Sequence, residues 1–157
     1  MFFIIRIIVH FLLFLRYRIS VKGLDSVYAK GNKGILFLPN HPALIDPVIL
    51  NLYLNKKFKP VPIADETQAN KFLIRNLAKN LNVLTIPDMS TVGARGGEET
   101  KNVLNTAASI LKNGGNLLLY PGGHLMRSKF EDLGANSGVY AILRNTPEAR
   151  IVLVQIG

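Results

Sequence analysis

The chemistry that this chain could perform centres on a histidine and an aspartate separated by four residues. His41 directly follows an apolar run, and Asp46 comes five positions later in the segment PNHPALIDP. A carboxylate one turn beyond an imidazole can accept the Nδ1 hydrogen and leave Nε2 able to take a proton near neutral pH. The pair therefore has the composition of a general base with its orienting acid, without a nucleophile from the protein itself.

Spacing alone leaves a second interpretation of these residues open. Asn40 or Asp46 could simply cap a helix, because short polar side chains accept the unpaired backbone N–H groups of a first turn. A metal site is not predicted, since no two of the three histidines lie at ligand spacing and HExxH is absent. The absence of Cys excludes a disulfide framework and a cysteine nucleophile.

The pattern along the chain predicts strands that alternate with helices. Apolar, strand-like runs occupy 18–21, 35–38, 60–64, 83–86, 116–120 and 151–156, and helical periodicity covers 47–55, 70–80, 98–113 and about 136–144. A turn-rich connection is expected over 23–34. This alternation predicts an α/β fold with a mostly parallel sheet covered by helices. Functional residues of such sheets usually lie in the loops after the carboxyl ends of the strands, which here are 39–46, 87–97 and 121–129.

Residues 1–19 are predicted to form a membrane-associated helix that precedes a second unit, 20–157. The run FFIIRIIVHFLLFL at 2–15 contains only Arg6 and His10 as polar residues. As a helix it would be about 21 Å long, short of the roughly 30 Å hydrocarbon core of a bilayer. The pattern favours a helix in the membrane interface, with the basic residues that follow it on lipid headgroups. Burial in the protein's own core or in a partner is the alternative.

The charge distribution agrees with this placement. The formal charge is +9, of which residues 1–60 contribute 9 − 2 = +7 and residues 61–157 contribute 10 − 8 = +2. A basic excess attracts nucleic acid, anionic membranes or phosphorylated substrates. Because the excess lies beside an apolar helix and no aromatic–basic recognition pattern is present, a membrane is favoured and nucleic acid is not.

The run GILFLPNHPALIDPVIL resembles the first motif of the glycerolipid acyltransferase family, which includes 1-acyl-sn-glycerol-3-phosphate acyltransferases. Members carry His, four residues and Asp after an apolar strand. VKGL at 21–24 and GGNLLLYP at 114–121 resemble further parts of the family pattern, and the likeness covers about 16–157. It implies that His41 is the base that deprotonates a glycerol-phosphate-type hydroxyl, with Asp46 as its orienter. The hydroxyl would attack an acyl thioester on coenzyme A or acyl carrier protein.

The later motifs depart from the family pattern. The third motif usually reads FPEGTRS, whereas this chain has YPGGHLMRS at 120–128, with Gly in place of Glu and the Arg displaced by two positions. The Arg of the second motif has no direct counterpart. By resemblance, we expect the acceptor phosphate to be bound by Arg127, Arg95, Gly122, Gly123 and His124. The alternatives are that His124 satisfies a loop carbonyl and that the two arginines are solvated loop charges.

Together these features predict a membrane-bound O-acyltransferase of phospholipid biosynthesis at the cytoplasmic face of the inner membrane. The acceptor would be a lysophospholipid such as lysophosphatidic acid, and acyl-CoA or acyl-ACP would be a co-substrate, with no other cofactor. A non-catalytic membrane- or lipid-binding module that keeps the fold is the alternative, and hydrolysis by water would need the same base. The departures resemble a subgroup in which an acyltransferase region precedes an acyl-ligase region, so we expect a domain truncated at its C-terminal end.

Overall fold

Short strands alternate with helices along the part of the chain that the computed structural model describes, which comprises residues 15–69, 82–87, 89–128, 130, 132–133 and 137–157. In chain order the elements are α1 (Leu24–Ala29), β1 (Ile35–Pro39), α2 (Asp46–Leu54), β2 (Val61–Asp65), α3 (Glu66–Ala69), β3 (Leu84–Ile86), α4 (Met89–Lys112), β4 (Leu117–Leu119), α5 (Gly138–Asn145) and β5 (Arg150–Val154).

The five strands form one parallel sheet in the order β3-β2-β4-β1-β5. Every residue of β1 is buried, as expected for an apolar strand in the interior of a sheet that is covered on both sides. Because all strands run the same way, the carboxyl ends of β1, β4 and β5 meet at one edge. The residues that follow those three strands are therefore neighbours in space.

Two apolar clusters cover the two faces of the sheet. Alternate residues of β1 enter different clusters, because successive side chains of a strand point to opposite faces. The first cluster joins the strands to α4 and α5 through Leu36, Leu38, Ala107, Leu111 and Ile142. The second joins them to α2 and the turn after it through Ile35, Phe37, Leu50, Leu54 and Phe58. The predicted α/β fold with helices on both faces is confirmed.

All five strands after residue 34 were correctly predicted to within about two residues, and so were α2 and α5. The predicted strand at 18–21 is wrong: residues 17–22 have no regular structure and are largely exposed. Isolated extended chain has no ladder of hydrogen bonds to hold it, and no strand of the described sheet pairs with this segment.

The segment 23–34 contains the short helix α1, which the turn-rich sequence did not predict. Gly23 enters it with φ of 79°, and the Val27 N–H bonds to the Gly23 carbonyl at 3.0 Å. At the other end, the Arg150 guanidinium donates to the carbonyl oxygens of Val27, Lys30 and Gly31. These last carbonyls of a helix need external donors, and here the donor comes from a distant strand.

Helix α4 begins at Met89, so the prediction of a loop over 87–97 is wrong for all but its first residues. The glycines of GARGG suggested a loop because each costs a helix about 1 kcal/mol relative to Ala. Extension of an existing helix is far cheaper than its nucleation, and the C-terminal half of α4 is held by buried Ala107, Ala108 and Leu111.

Two other predicted elements, the helix over 70–80 and residues 1–14 of the membrane-associated helix, lie outside the described residues. The division at residue 19 therefore stays a prediction. Among the helices that are described, none combines the length and the apolar composition needed to cross a bilayer.

Candidate active site

His41 lies just beyond the carboxyl end of β1, an interior strand of the sheet. Its backbone carbonyl accepts the Met126 N–H at 2.8 Å, which ties it to the loop after β4. Its side chain is 14% exposed, so the imidazole is largely enclosed but can still be reached from solvent.

Asp46 is the first residue of α2, and its carboxylate is 2% exposed. Its Oδ2 accepts the Ala43 N–H at 2.7 Å, while its own N–H donates to the Ala43 carbonyl at 3.1 Å. Pro47, which suits the first turn of a helix because its fixed φ is already helical, starts α2 directly after this turn. The turn thus holds the buried carboxylate in one position.

The two side chains meet as the spacing predicts, with His41 Nδ1 3.1 Å from Asp46 Oδ2. A carboxylate can only accept, so the hydrogen of a neutral imidazole lies on Nδ1 and Nε2 carries the available lone pair. This is the arrangement of an oriented general base. The alternative that Asn40 or Asp46 caps the helix does not hold, since Ile45 occupies the cap position and no side-chain cap bond is made there. The carboxylate of Asp46 instead accepts the Ala43 N–H, which precedes the helix.

Tyr120, which follows β4, stacks on the imidazole and was not singled out from the sequence. The two ring centroids are 4.2 Å apart and the planes differ by 29°. Among the described residues, no group forms a hydrogen bond with the buried Tyr120 hydroxyl. Burial raises the pKa of Tyr120 above its ordinary value of 10.0, and the charge of Asp46 raises it further. The ring is therefore neutral wherever the protein would work.

Asn40 joins the chain before His41 to the end of β5. Its side-chain amide donates to the Ile156 carbonyl at 2.9 Å, and its Oδ1 accepts the Ile156 N–H at 2.6 Å. Its own N–H bonds to the Val154 carbonyl at 3.2 Å. The pairing of β1 with β5 thus continues beyond the strands through the Asn40 side chain. These bonds hold Asn40, the residue before His41, in place.

The loop 121–128 reaches the same edge of the sheet through the bond from Met126 to His41. Within it Gly123 turns the chain with φ of 69° and bonds to the Tyr120 carbonyl at 3.1 Å, while Gly122 is buried. His124 is exposed and its Nδ1 lies 3.1 Å from the Leu125 carbonyl. Arg127, next to Met126, is exposed as well. Four of the five expected phosphate-binding residues therefore share one loop beside His41.

Arg95 differs from the other expected phosphate-binding residues. Its backbone lies inside α4 rather than in the predicted loop after β3. The structure describes only the backbone at this position, so the location of the guanidinium falls outside the described part of the chain.

A cavity of about 650 Å³ opens beside the site, within the range of small-molecule pockets. Asn40 and Met126, both adjoining His41, are among its lining residues. Apart from Asn40 and Gln155 the lining is apolar, from Leu38, Pro121, Met126, Phe130, Leu133, Val139, Leu153 and Val154. Sequence reasoning missed this cavity because it lies between segments that are distant along the chain.

Comparison with known protein families gives a match over most of the chain. The family model described as Acyltransferase matches residues 18–156, which include all the site residues named above. Neither a curated protein nor a solved structure matches the chain. Within the described residues, no three His, Asp or Glu side chains are grouped so that they could hold a metal ion.

Proposed function

The chain belongs to the acyltransferase family, and from this premise we propose that it is a membrane-bound O-acyltransferase of phospholipid biosynthesis. It moves a fatty acyl group from an acyl thioester to the free hydroxyl of a lysophospholipid such as lysophosphatidic acid. The observation that carries the proposal is the bond between His41 Nδ1 and Asp46 Oδ2 at 3.1 Å, because it leaves Nε2 as a base for a substrate hydroxyl.

In the proposed reaction, His41 Nε2 takes the proton of the acceptor hydroxyl as its oxygen attacks the thioester carbonyl carbon. The buried Asp46 carboxylate stabilises the imidazolium that forms and keeps the ring oriented. The tetrahedral intermediate then expels the thiolate as its C–S bond breaks. The thiolate takes the proton back from Nε2, so the products are an ester and a thiol and the enzyme is unchanged.

The cavity supports an acyl chain as one substrate group. Its lining is mostly apolar and its volume is about 650 Å³, so it would remove part of a hydrocarbon chain from water at a gain of roughly 25 cal/mol per Å² of apolar surface buried. Asn40 and Met126 connect its wall to His41. We propose that the acyl chain of the thioester, carried by coenzyme A or acyl carrier protein, occupies this cavity.

The loop 121–128 supports a phosphate on the acceptor. An exposed arginine binds phosphate through two parallel N–H bonds, and Arg127 adjoins the residue that bonds to His41. We propose that Arg127 and His124 contact the phosphate and that Gly122 and Gly123 allow the close approach of backbone to it. Arg95 stays a candidate for the same role.

The proposed site of action is the cytoplasmic face of the inner membrane. The support is in the sequence, where an apolar run at 2–15 lies within residues 1–60, the part of the chain that carries +7 of the +9 charge. Anionic lipid attracts such a segment by about 1 kcal/mol for each basic residue near the surface.

The test is release of thiol from a long-chain acyl-CoA or acyl-ACP by the purified full chain, with and without lysophosphatidic acid. We expect release that depends on the acceptor, yields phosphatidic acid and disappears in His41→Ala. Equal release without acceptor would make the protein a thioester hydrolase. Binding to anionic vesicles with no release at all would instead indicate a lipid-binding module.

A further inference from the structure

The bond to Asp46 alone does not fix the direction of the catalytic lone pair. It holds one atom of the imidazole, Nδ1, in the plane of the ring. The ring remains able to tilt about the line through Cβ and Nδ1, and a tilt moves Nε2, the atom that must meet the substrate hydroxyl. A second contact, perpendicular to the ring, is needed to remove that motion.

Tyr120 makes this second contact. Its ring covers one face of the imidazole with a centroid separation of 4.2 Å and an interplanar angle of 29°. Rings in such contact cannot tilt into one another without overlap, so the stack limits the tilt toward Tyr120. Stacked aromatic pairs also attract beyond simple burial.

The Tyr120 ring is itself held by packing. It packs against the cluster that includes Phe37, Leu50 and Leu118, and its hydroxyl has no hydrogen-bond partner among the described residues. Within the part of the chain that the structure describes, a hydrogen bond therefore does not set the position of the ring. The support for His41 comes from the aromatic surface, and the hydroxyl is dispensable for it.

We propose that Tyr120 is a positioning residue that holds the His41 imidazole in the plane required for proton transfer. This inference rests on the proposed function, because positioning matters only if His41 acts as a base. It differs from a role in core packing alone, which any buried residue of this cluster would share.

The experiment compares three variants of the full chain. Tyr120→Phe keeps the aromatic surface and Tyr120→Leu removes it. Phe58→Leu removes a ring from the same cluster, one that packs edge-on against Tyr28 and Phe37. Each is assayed for kcat and KM of acyl transfer and for thermal unfolding. We expect kcat to fall about tenfold in Tyr120→Leu with KM within about twofold, since misplacement of a reacting group is costly. Tyr120→Phe and Phe58→Leu should keep kcat within about twofold of the wild type.

A second measurement does not depend on turnover. The chain has three histidines, so the imidazole proton signals of His41 can be assigned in NMR spectra by comparison with His41→Gln. The Tyr120 ring should shift them upfield. We expect the His41 signals to move downfield in Tyr120→Leu. In Tyr120→Phe and Phe58→Leu we expect no change of that size.

Each outcome decides the proposal. Wild-type kcat in Tyr120→Leu, or an equal loss in Phe58→Leu, would overturn a specific role for the ring. A loss in Tyr120→Phe as large as in Tyr120→Leu would assign the effect to the hydroxyl and overturn the proposal as well. If the wild type transfers no acyl group, the proposed function fails, and an unchanged His41 signal in Tyr120→Leu would then show separately that the ring does not hold the imidazole.

Discussion

The carboxylate of Asp46 bonds to the backbone N–H of Ala43, three residues before it, with the same oxygen that receives His41 Nδ1. One atom, Oδ2, therefore both closes the turn that begins α2 and orients the imidazole. The second donor is part of the backbone and stays in place when the imidazole moves. The carboxylate thus has a fixed position against which His41 is aligned.

We expect Asp46→Asn to lower kcat by about 10²–10⁴-fold, because a neutral amide cannot balance the charge of the imidazolium that forms on His41. The measurement is the rate of thiol release in the presence of lysophosphatidic acid. Asp25→Asn is the matched control, since Asp25 is an exposed carboxylate paired with Lys57. A loss of similar size in the control, or wild-type kcat in Asp46→Asn, would contradict the assignment.

We expect Arg127→Ala to raise KM for lysophosphatidic acid about tenfold or more, because a charge-assisted hydrogen bond contributes about 1.5–3 kcal/mol. KM for the acyl donor should not change. Arg144→Ala, which removes an exposed arginine at the end of α5, provides the comparison. An unchanged KM in Arg127→Ala would exclude Arg127 from acceptor binding.

We expect Val139→Phe to shift the donor preference toward shorter acyl chains, because it adds volume to the wall of the cavity. Its cost in stability should be about 1–3 kcal/mol, as for other overpacked sites. The measurement is kcat/KM for a series of acyl-CoA chain lengths. Tyr140→Trp enlarges an exposed residue on the same helix and should leave the preference unchanged; an identical chain-length profile in Val139→Phe would place the acyl chain elsewhere.

We expect the free energy of unfolding to fall at alkaline pH partly because of Tyr120. Burial raises the pKa of Tyr120 in the folded state, so above its ordinary value of 10.0 the unfolded chain loses this proton while the folded chain keeps it. The contribution of Tyr120 to the free energy of unfolding is therefore fully present below pH 10. Above pH 10 this contribution declines by up to about 1.4 kcal/mol per pH unit. Urea unfolding from pH 8 to 11 should show a shallower decline in Tyr120→Phe. Tyr140→Phe should retain the wild-type slope, and parallel curves for Tyr120→Phe and the wild type would contradict the prediction.

The features that the sequence predicts correctly are those with a local cause. β1 and β4 are continuous apolar runs because both of their faces are buried, and this appears directly in the residue pattern. The meeting of His41 and Asp46 was predictable for the same reason, since only four residues separate them. By contrast, α1 is completed by Arg150, more than 120 residues after the start of the helix, and no local pattern contains that donor.

The Tyr120 stack could not be predicted for a related reason. It requires β4 to lie beside β1, whereas β2 and β3 come between them in the chain. The prediction of a loop at the start of α4 failed for an energetic reason. Glycine content indicates the local free-energy cost of a helix but not the packing that outweighs this cost. Only knowledge of the strand order, which places β4 beside β1, would have predicted that Tyr120 lies next to His41.

The bonds between Asn40 and Ile156 also bear on the order in which the site forms during folding. They join residues 116 positions apart, and contacts of such long sequence separation form slowly because the intervening chain must first be brought together. The turn that carries His41 and Asp46 can form early from local contacts. Its full support arrives only when β5 has paired with β1, so a partly folded chain would hold a poorly aligned base and acquire activity in the last stage of folding.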